Sequence, residues 1–421
     1  MPFVEDPVEP ASTSKAPSAP HGDPAPRVSG IAPARHVLDI PWVRLRSASS
    51  GSQLFRRMIS EVDRKAKNGD IVAVYDKIGA PYGIAIYNPK SLISLRLLTR
   101  GVGNFDADKF FGERLKAAVD MRRNVLKLDK TTDAYRLVHD LGDGLPGLVI
   151  DRYGEWLSLE FYSLGMFRQA DRLERLLKVH FPEAKFARRA SIYSEKMEGF
   201  KVPFVKIPRS RIRENGVVFD VDLSGGYKTG FFCDQRDNRL AMAALSHGRS
   251  VLDVCSYTGG FGLYAKKLGY AEEVTCVELD PEASAMARKN ANINSARLDI
   301  VTVDAFPYLR QAAANGKKFG MIVLDPYKLI ANMEDYKLGR NKYIDLNRLG
   351  ISLLDEGGIL VTCSCSGLLP WPEFQQIVRT AAGSAGRRLQ IFRKSAAGPD
   401  HPYAADHPEG EYLKALWCRA L

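Results

Sequence analysis

The sequence has 421 residues, of which 45% are hydrophobic and 26% are charged. This length suggests two or three domains, and the composition is typical of a globular protein and excludes a wholly disordered chain. Lysine and arginine number 60 against 49 acidic residues, and the resulting net charge of +11 favours an anionic partner. No apolar run reaches the roughly 18 residues of a membrane span, so no membrane partner is predicted.

The cysteines and the N-terminus predict a reduced, cytoplasmic protein. The six cysteines are Cys233, Cys255, Cys276, Cys363, Cys365 and Cys418. They form no CxxC pair and no zinc-type spacing with histidine, so no metal site is predicted. Six are too few for a disulfide scaffold in a chain of this length, and no secretory signal pattern precedes them.

Residues 1–35 are rich in proline, alanine and serine and poor in large apolar side chains. Such a segment cannot bury enough surface to offset the entropy of ordering, so we expect a disordered tail. A transit peptide is the alternative, and the acidic residues Glu5, Asp6 and Glu9 argue against it.

Residues 36–105 contain short β-rich runs separated by Gly, Pro and Asn turns, which predicts a small β-barrel or sandwich. A dense group of basic residues lies in this region. Its members are Arg44, Arg46, Arg56, Arg57, Arg64, Lys65 and Lys67. A positive surface of this kind can follow a phosphate backbone, so it predicts RNA binding, and a solvated basic face is the alternative.

The rest of the chain mixes helix and strand, and its pattern changes near residue 211. Residues 106–210 contain helical and strand-like runs in no regular order. From 211 to 421 apolar strand-like runs alternate with helical runs, one of which is expected at 347–356. This alternation predicts a doubly wound α/β fold with a mostly parallel sheet. Residues 389–396 and 412–420 read as strands with no helix between them, so we expect an antiparallel pair at one sheet edge.

Acidic residues end the first three predicted strands of this sheet, and a Gly-rich turn follows the first strand. The predicted cofactor-binding residues here are Asp253, Tyr257, Gly259, Gly260, Glu278 and Asp304. The turn lacks the GxGxxG pattern of dinucleotide-binding folds, and a carboxylate about twenty residues later can accept hydrogen bonds from ribose hydroxyls. A pocket of carboxylates favours S-adenosyl-L-methionine, a cation without phosphates. The alternative is that these acids are helix caps or turn residues.

The fourth and fifth predicted strands carry the candidate catalytic residues, Asp325 and Cys365. A thiolate that adds to C6 of cytosine makes C5 reactive enough to attack a sulfonium methyl group, and a base then removes the C5 proton. Only about 3% of an ordinary thiol is ionised at pH 7, so the site must assist. We expect Asp325 to hold the protonated ring N3. Cys363 is interpreted as a buried strand residue, which is also the alternative for Cys365.

From about residue 36 onward the chain resembles the large-subunit (23S) rRNA methyltransferase I family, whose members are class I cytosine-5 methyltransferases. The resemblance rests on five segments in the expected order, at 143–154, 226–239, 251–262, 357–368 and 406–419. It implies an N-terminal PUA domain at 36–105, a central α/β domain at 106–210 and a Rossmann-like S-adenosylmethionine-dependent methyltransferase domain at 211–421.

The resemblance also assigns residues. The family's Ser-Cys-Ser-Gly cysteine falls on Cys365. Its Asp-Gln-Arg segment falls on Asp234, Gln235 and Arg236, which we expect to pack over the cofactor or the target base. Arg236 is thereby a cofactor-binding candidate, available to an anionic group.

One loop departs from the family pattern, because Asp325-Pro326-Tyr327-Lys328-Leu329 stands where the family has Asp-Pro-Pro-Lys-Phe. Tyr327 can stack on a flipped base, narrow the pocket or change the base accepted. The function predicted first is therefore cytosine-5 methylation of large-subunit rRNA, with a homodimer as the assembly considered. The alternatives are a guanine-N RNA methyltransferase and a catalytically inactive protein that binds S-adenosylmethionine and RNA.

Overall fold

The structure is a computed structural model that describes residues 25–36, 38–47, 49–224 and 230–421. Most of the expected disordered tail, residues 1–24, lies outside the described residues, as do residues 225–229 of one family-like segment. Arg27–Ser29, which the sequence analysis assigned to the tail, form a strand that pairs in parallel with residues 61–63. Residues 27–29 of the expected tail are therefore part of the N-terminal sheet.

The N-terminal part is one seven-stranded mixed sheet. Its strands are β1 (Arg27–Ser29), β2 (Trp42–Leu45), β3 (Gln53–Phe55), β4 (Ile59–Asp63), β5 (Ile71–Tyr75), β6 (Pro81–Tyr87) and β7 (Ile93–Arg100). The order in the sheet is β1-β4-β2-β5-β6-β7-β3, and a single 3-10 turn at Arg56–Met58 joins β3 to β4. A small β module with short strands is thus confirmed.

Alternation along β5 shows why this sheet is buried on both faces. Val72 and Val74 belong to a core enclosed by the sheet itself. Ala73 and Tyr75 point the other way, into a second core that is shared with the central part of the chain. Since successive strand residues face opposite sides, one run of apolar residues attaches the β module to its neighbour.

The central part places helices against a four-stranded sheet. Its helices are α1 (Ala107–Asp120), α2 (Leu164–Phe167), α3 (Ala170–Leu177) and α4 (Ile192–Glu198). Its strands are β8 (Ala134–His139), β9 (Leu148–Tyr153), β10 (Trp156–Phe161) and β11 (Lys185–Arg189), in the order β11-β10-β9-β8. The π-helical turn Met121–Val125 ends α1, and 3-10 turns lie at Leu128–Lys130 and Asp140–Asp143.

A hairpin of β12 (Ser210–Glu214) and β13 (Val217–Val221) joins the central and C-terminal parts. Phe219 and Val221 pack in one core with Tyr153 from β9 and with Leu263 and Tyr264 from the C-terminal part. The expected boundary at residues 210 and 211 therefore falls at the start of this hairpin, and the hairpin contacts both sides.

The C-terminal part is a doubly wound α/β fold. Its strands are β14 (Ser250–Val254), β15 (Glu273–Glu278), β16 (Asp299–Thr302), β17 (Phe319–Leu324), β18 (Leu354–Ser364), β19 (Leu389–Ser395) and β20 (Lys414–Ala420). Its helices are α5 (Arg236–Ala243), α6 (Gly260–Lys267), α7 (Pro281–Ile293), α8 (Ala305–Ala314), α9 (Tyr336–Ser352) and α10 (Trp371–Ser384). Short 3-10 turns lie at Cys233–Gln235 and Pro408–Gly410.

The strand order in this sheet is β16-β15-β14-β17-β18-β20-β19. The first five strands are parallel, and β20 lies antiparallel between β18 and β19. The expected parallel sheet and antiparallel pair are both confirmed. Alternate residues of β17, Ile322 and Val323, enter separate cores on the two sides of the sheet, which explains the continuous apolar runs of these strands.

One predicted helix is displaced. The helical run expected near residues 347–356 ends at Ser352, and the helix α9 begins much earlier, at Tyr336. Residues from Leu354 onward belong to β18, because Leu354 pairs with Phe319 of the neighbouring strand. Within the described ranges, none of the helices has the length and apolar character that crossing a membrane requires.

Candidate active site

The predicted site residues meet at one edge of the C-terminal sheet. The register pairs Asp253 with Cys276 and with Val323, and it pairs Leu324 with Thr362, so the parallel strands run side by side and end together. Ligands of doubly wound sheets bind at this carboxyl edge. The turns after β14, β15, β16, β17 and β18 therefore form the candidate site.

The turn after β14 has an unusual backbone. Cys255, Tyr257 and Gly259 have positive φ values of 61°, 50° and 81°. Non-glycine residues rarely adopt this left-handed region and persist there only when the surroundings hold them. Strain concentrated in one turn at a sheet edge is typical of a ligand-binding segment.

Asp253 lies beneath this turn and not on its open side. Its side chain is 0% exposed, and its Oδ2 accepts a hydrogen bond from the Gly262 N–H at 2.9 Å. A Cβ at position 262 would lie 2.4 Å from the Cys276 sulfur, so only glycine allows this approach. Burial, and then the charge of Glu278, raise the pKa of Asp253 to about 7. The fully buried carboxyl of Asp253 shapes the turn from behind, and the cofactor contact predicted for Asp253 stays a prediction.

Glu278 ends β15 with its carboxylate fixed by two backbone groups. Its Oε2 accepts from the Tyr257 N–H at 2.7 Å, and its Oε1 accepts from the Asp280 N–H at 3.0 Å. The residue is 8% exposed, so the carboxylate is largely shielded but still reaches the surface of the site. Charge-assisted bonds of this kind keep a carboxylate in one orientation. Glu278 thus ties the strained turn to the second strand.

Asp304 is the N-cap of α8. Its Oδ1 accepts a hydrogen bond from the Phe306 N–H at 2.8 Å, and the residue is half-buried. Asp304 is therefore a helix cap, which was the alternative considered for the acidic residues at the strand ends. A cap uses only one carboxylate oxygen, so a further role toward a ligand stays a prediction.

Asp325 and Cys365 are brought together at the ends of β17 and β18. The Asp325 Oδ1 accepts a hydrogen bond from the Gln235 Nε2 at 3.0 Å. The Cys365 sulfur lies 3.9 Å from the Pro326 carbonyl oxygen, and the thiol is half-buried. The neighbouring Cys363 is 0% exposed inside a core, as its interpretation as a strand residue requires.

Burial dominates the ionisation of both groups. It raises the pKa of Asp325 to about 7, and the carboxylates of Asp234 and Asp253 add to the effect. Burial raises the pKa of Cys365 to about 12, again with help from Asp325 and Asp234, while Lys328 acts in the opposite direction. The site therefore holds a protonated thiol next to a carboxyl that is about half protonated near neutral pH.

The loop that departs from the family pattern projects Tyr327 outward. Tyr327 is 67% exposed, whereas Leu329 is 8% exposed and anchors the loop in a core. The Ile330 N–H donates to the Ser366 hydroxyl at 3.2 Å, which joins this loop to the one that follows Cys365. The aromatic ring therefore lies on a segment that is fixed at its base.

The cofactor role predicted for Arg236 stays a prediction, and in the structure its side chain is engaged within the protein. Its side chain is 2% exposed, and its guanidinium donates to both carboxylate oxygens of Asp400, at 2.8 and 3.1 Å. The anionic group that it meets is therefore part of the chain itself. The segment expected to pack over the site contributes through Gln235 instead, because Gln235 is the residue that reaches Asp325.

Asn238 was missed as a functional candidate, and Asp234 was named only as part of the segment expected to pack over the site. Asn238 is 1% exposed and donates through Nδ2 to the Gln235 Oε1 at 2.6 Å. Asp234 accepts from the Tyr412 hydroxyl at 2.6 Å through Oδ2, and its buried Oδ1 has no hydrogen-bond partner among the described residues. Their position in the family-like segment 226–239 was the only available signal.

The basic group of the N-terminal sheet is partly engaged within the fold. Arg44 pairs with Glu61 at 3.0 Å, and Arg46 donates to the Ile59 carbonyl at 2.8 Å. The other members are exposed and lie in the turns before and after β4, at Arg56, Arg57, Arg64, Lys65 and Lys67. RNA binding by this face stays a prediction. Among the described residues, no cluster of histidine, cysteine and acidic side chains is arranged to hold a metal ion.

Comparisons with known proteins agree with this fold. Residues 52–100 match the family model of a PUA-like domain, and residues 206–405 match that of an S-adenosylmethionine-dependent methyltransferase. The solved structure of SMU.776, assigned as a methyltransferase and complexed with SAH, has a TM-score of 0.73 and 21% identity over 85% of this chain and 93% of that chain. Another solved structure, of a methyltransferase from Streptococcus mutans, has a TM-score of 0.74 and 20% identity and covers 90% of this chain and 100% of that chain.

Curated relatives are more similar in sequence. The ribosomal RNA large subunit methyltransferase I of Aeromonas hydrophila is 38% identical over 87% of this chain and 94% of the relative. That of Klebsiella pneumoniae is 36% identical over the same shares. Because this identity extends over most of both chains, the protein belongs to the ribosomal RNA large subunit methyltransferase I family, whose methyl donor is S-adenosyl-L-methionine.

Proposed function

We propose that the protein methylates C5 of a cytosine in large-subunit rRNA through a covalent bond between Cys365 and C6 of the base. The relatives are named for large-subunit ribosomal RNA. The observation that carries the proposed chemistry is the half-buried thiol of Cys365, which lies against the Pro326 carbonyl beside Asp325. Methylation of a ring nitrogen would need no thiol there, since a nitrogen lone pair attacks a methyl donor directly.

The residues at the sheet edge fit S-adenosylmethionine. The turn of Tyr257, Gly259 and Gly260 lies beside a carboxylate, Glu278, that two backbone N–H groups hold in place. Glu278 would bind the ribose hydroxyls, and Asp304 would meet the adenine edge. The acidic side chains of Glu278 and Asp304 at this edge suit a cation better than a phosphate ester. When bound, the cofactor supplies an electrophilic methyl group on a sulfonium.

Cys365 supplies the nucleophile, and the carboxyls around it move the protons. The thiol proton passes to Asp234, whose Oδ1 has no other partner in the described structure and whose charge already acts on the thiol. The sulfur lone pair forms the bond to C6, and the C5–C6 π electrons shift toward C4. Asp325, about half protonated near pH 7, donates its proton to ring N3 and so accommodates this shift.

The same groups complete the cycle after C5 has gained its methyl group. Asp325, now a carboxylate, removes the C5 proton, and the electrons of that C–H bond restore the C5–C6 double bond. The bond from sulfur to C6 breaks, and Cys365 recovers its proton from Asp234. The N3 proton leaves to solvent, so one proton is released for each methyl group transferred.

The proposed RNA partner also suits the N-terminal module. Its exposed basic residues, described above, give phosphate contacts that position an RNA without reading its sequence. A PUA-like domain match covers the same region. Cytoplasmic localisation and a homodimer stay predictions that accompany this proposal.

Analysis of modified nucleosides tests the base assignment. Large-subunit rRNA from cells that lack the gene, incubated with the protein and methyl-labelled S-adenosylmethionine, is expected to yield 5-methylcytidine after digestion. A labelled methylguanosine would contradict the proposal. RNA from cells that carry the gene is the control, since its target is already methylated and should accept little label.

A guanine-N methyltransferase is the second candidate, and one observation favours it. The loop Asp325-Pro326-Tyr327 resembles the Asp-Pro-Pro-aromatic loop of amino methyltransferases, and the Tyr327 ring is 67% exposed where it can stack on a base. Stacking alone does not select between bases, because every base has an aromatic face. The nucleoside analysis therefore separates this candidate from the first.

Glu278→Gln is expected to weaken binding of S-adenosylmethionine by about tenfold to a hundredfold. The substitution removes the negative charge from a carboxylate that would accept hydrogen bonds from both ribose hydroxyls, and such bonds contribute about 1.5–3 kcal/mol each. Titration calorimetry with S-adenosylmethionine measures the change. Glu282→Gln is the matched control, because Glu282 is exposed on α7 and should leave the affinity unchanged. Equal affinities for the two variants would refute the role of Glu278.

A further inference from the structure

A chain of hydrogen bonds leads from β20 to the catalytic carboxyl. The Trp417 indole N–H donates to the Ser395 Oγ at 2.7 Å. The Ser395 hydroxyl donates to the Asn238 Oδ1, also at 2.7 Å. The Asn238 Nδ2 donates to the Gln235 Oε1 at 2.6 Å, and the Gln235 Nε2 donates to the Asp325 Oδ1 at 3.0 Å. Four hydrogen bonds thus connect β20 to the site.

The partners of Asn238 fix which groups donate and which accept in this series of hydrogen bonds. An indole N–H can only donate, so the Ser395 oxygen accepts from it and turns its own hydrogen toward Asn238. The Asn238 Nδ2 also donates to the Ala396 carbonyl at 3.2 Å, and a carbonyl can only accept. The amide of Asn238 therefore cannot be reversed without the loss of two hydrogen bonds.

A fixed Asn238 in turn fixes Gln235. Because Asn238 presents its N–H to the Gln235 Oε1, Gln235 must present its own N–H, and not its oxygen, to Asp325. Gln235 is 3% exposed, so water has little access to compensate for a reversed amide. The Asp325 Oδ1 is then occupied by a donor, and an added proton resides on the other oxygen, Oδ2.

We propose that Asn238, held by Ser395 and the Ala396 carbonyl, is a positioning residue that sets the direction of the Gln235 amide and confines the acidic proton of Asp325 to Oδ2. This inference rests on the proposed role of Asp325 as the proton donor to the target base. A proton confined to Oδ2 of Asp325 can approach the ring of the target base from one direction only. Ser395 and Asn238 touch neither substrate nor cofactor in this arrangement and act only through Gln235.

The same arrangement determines when Asp325 loses its proton. A donated N–H favours the ionised carboxylate, whereas a reversed amide would place an oxygen against it and favour the protonated form. Other groups also act on Asp325 from the elements around it. They are Asp234, Asp253 and Arg239, together with the thiols of Cys255, Cys363 and Cys365. A substitution at position 238 changes none of these groups. Its effect on the pKa of Asp325 therefore reports the orientation of the Gln235 amide.

Titration of Asp325 tests the proposal without substrate or cofactor. Aspartate labelled with ¹³C at the side-chain carboxyl gives one signal per residue, and the signal that Asp325→Asn removes is assigned to Asp325. Asn238→Leu is expected to raise the pKa of Asp325 by about one unit, because the Gln235 amide is then free to reverse. Gln235→Met, which removes the donor itself, is expected to raise it at least as much.

The double variant distinguishes positioning from a general structural effect. In the Gln235→Met background, Asn238→Leu is expected to cause no further shift, since its only route to Asp325 is gone. A shift of the same size in that background would overturn the proposal. Ser395→Ala is a milder variant should Asn238→Leu not fold. Ser395→Ala is expected to raise the pKa of Asp325 by less than Asn238→Leu does. Ser395→Thr keeps the hydroxyl and is expected to leave that pKa unchanged.

Two outcomes separate this inference from the proposed function. If neither Asn238→Leu nor Ser395→Ala moves the Asp325 titration, the positioning role fails, whatever product the enzyme makes. If the titration moves as expected but the labelled product is a methylguanosine, the positioning role stands and the base assignment fails. Should 5-methylcytidine be the product, the pH dependence of kcat/KM is expected to move by the same amount as the titration.

Discussion

Replacing Cys365 with alanine is expected to reduce methyl transfer at least about 1,000-fold, while the affinity for S-adenosylmethionine stays within about twofold. Without the sulfur no bond to C6 can form, and C5 of an unmodified cytosine is too weak a nucleophile to attack the methyl group. The measurement is transfer of labelled methyl groups to the rRNA, together with calorimetric titration of the cofactor.

Cys363→Ala is the matched control for this variant. Cys363 lies on β18, two residues before Cys365, but it is 0% exposed and belongs to the core. Its loss is expected to lower stability by about 1 kcal/mol through a small cavity and to change activity by less than about threefold. Full activity of Cys365→Ala would remove the covalent mechanism and favour direct attack by a ring nitrogen.

The covalent bond itself can be trapped. In RNA that carries 5-fluorocytosine there is no C5 proton to remove, so the adduct is expected to persist after methyl transfer. The wild-type protein should then migrate with the RNA on a denaturing gel, and Cys365→Ala should not. A trapped complex of equal yield with both proteins would assign the bond to another residue.

Asp400→Ala is expected to lower the free energy of unfolding by about 3–5 kcal/mol, because it removes the buried partner of the Arg236 guanidinium and leaves only the exposed carboxylate of Asp237, 3.4 Å away. Asp400 is 0% exposed, and it accepts hydrogen bonds from the side chain of Arg236 and from the Arg136 N–H at 3.0 Å. Its own carbonyl accepts from Arg122 at 2.7 Å. A single residue thus joins the central part of the chain to the catalytic part.

The contribution of Asp400 to the free energy of unfolding decreases at low pH. Burial alone would raise the pKa of Asp400, but His401 and Arg236 hold it well below the ordinary value of 3.8. The stabilisation is therefore complete above about pH 4 and is lost as the pH falls further, when the carboxylate becomes protonated. Chemical denaturation of the wild type and of Asp400→Ala should show the largest difference at neutral pH.

Asp345→Ala is the control for a surface ion pair. Asp345 pairs with Arg310 and Arg348, and all three side chains are at least 33% exposed. Its loss is expected to cost less than about 1 kcal/mol, since water screens the pair and replaces its hydrogen bonds. A cost at Asp400 as small as that at Asp345 would contradict the structural role given to Asp400.

The sequence predicted the strands of the C-terminal sheet well because these strands are buried on both faces. A continuous apolar run such as 319–324, followed by Asp325, has few other interpretations in a chain of alternating helices and strands. The start of β18 was assigned to a helix because Leu354 suits either structure. Its pairing with Phe319, a contact between distant segments, decides the outcome.

Some of the site residues could likewise be predicted from the sequence, and others could not. The positions of Glu278 and Cys365 at the edge of the sheet could be predicted from their places at strand ends, because parallel strands end together. The role of Arg236 could not be read from its neighbours, since its partner Asp400 lies 164 residues away in the sequence. The burial of Asp253 was also not apparent, because a carboxylate in a strand is ordinarily expected at the surface.

The position of β20 between β18 and β19 has a consequence for biosynthesis. The strand that leads to Cys365 is made well before residues 414–420, and until they emerge from the ribosome one side of β18 has no backbone partner. The N-terminal module and the central sheet need none of these late residues. The part of the chain that transfers methyl groups is therefore completed after the N-terminal module, and we expect a chain without residues 414–420 to be unable to modify RNA.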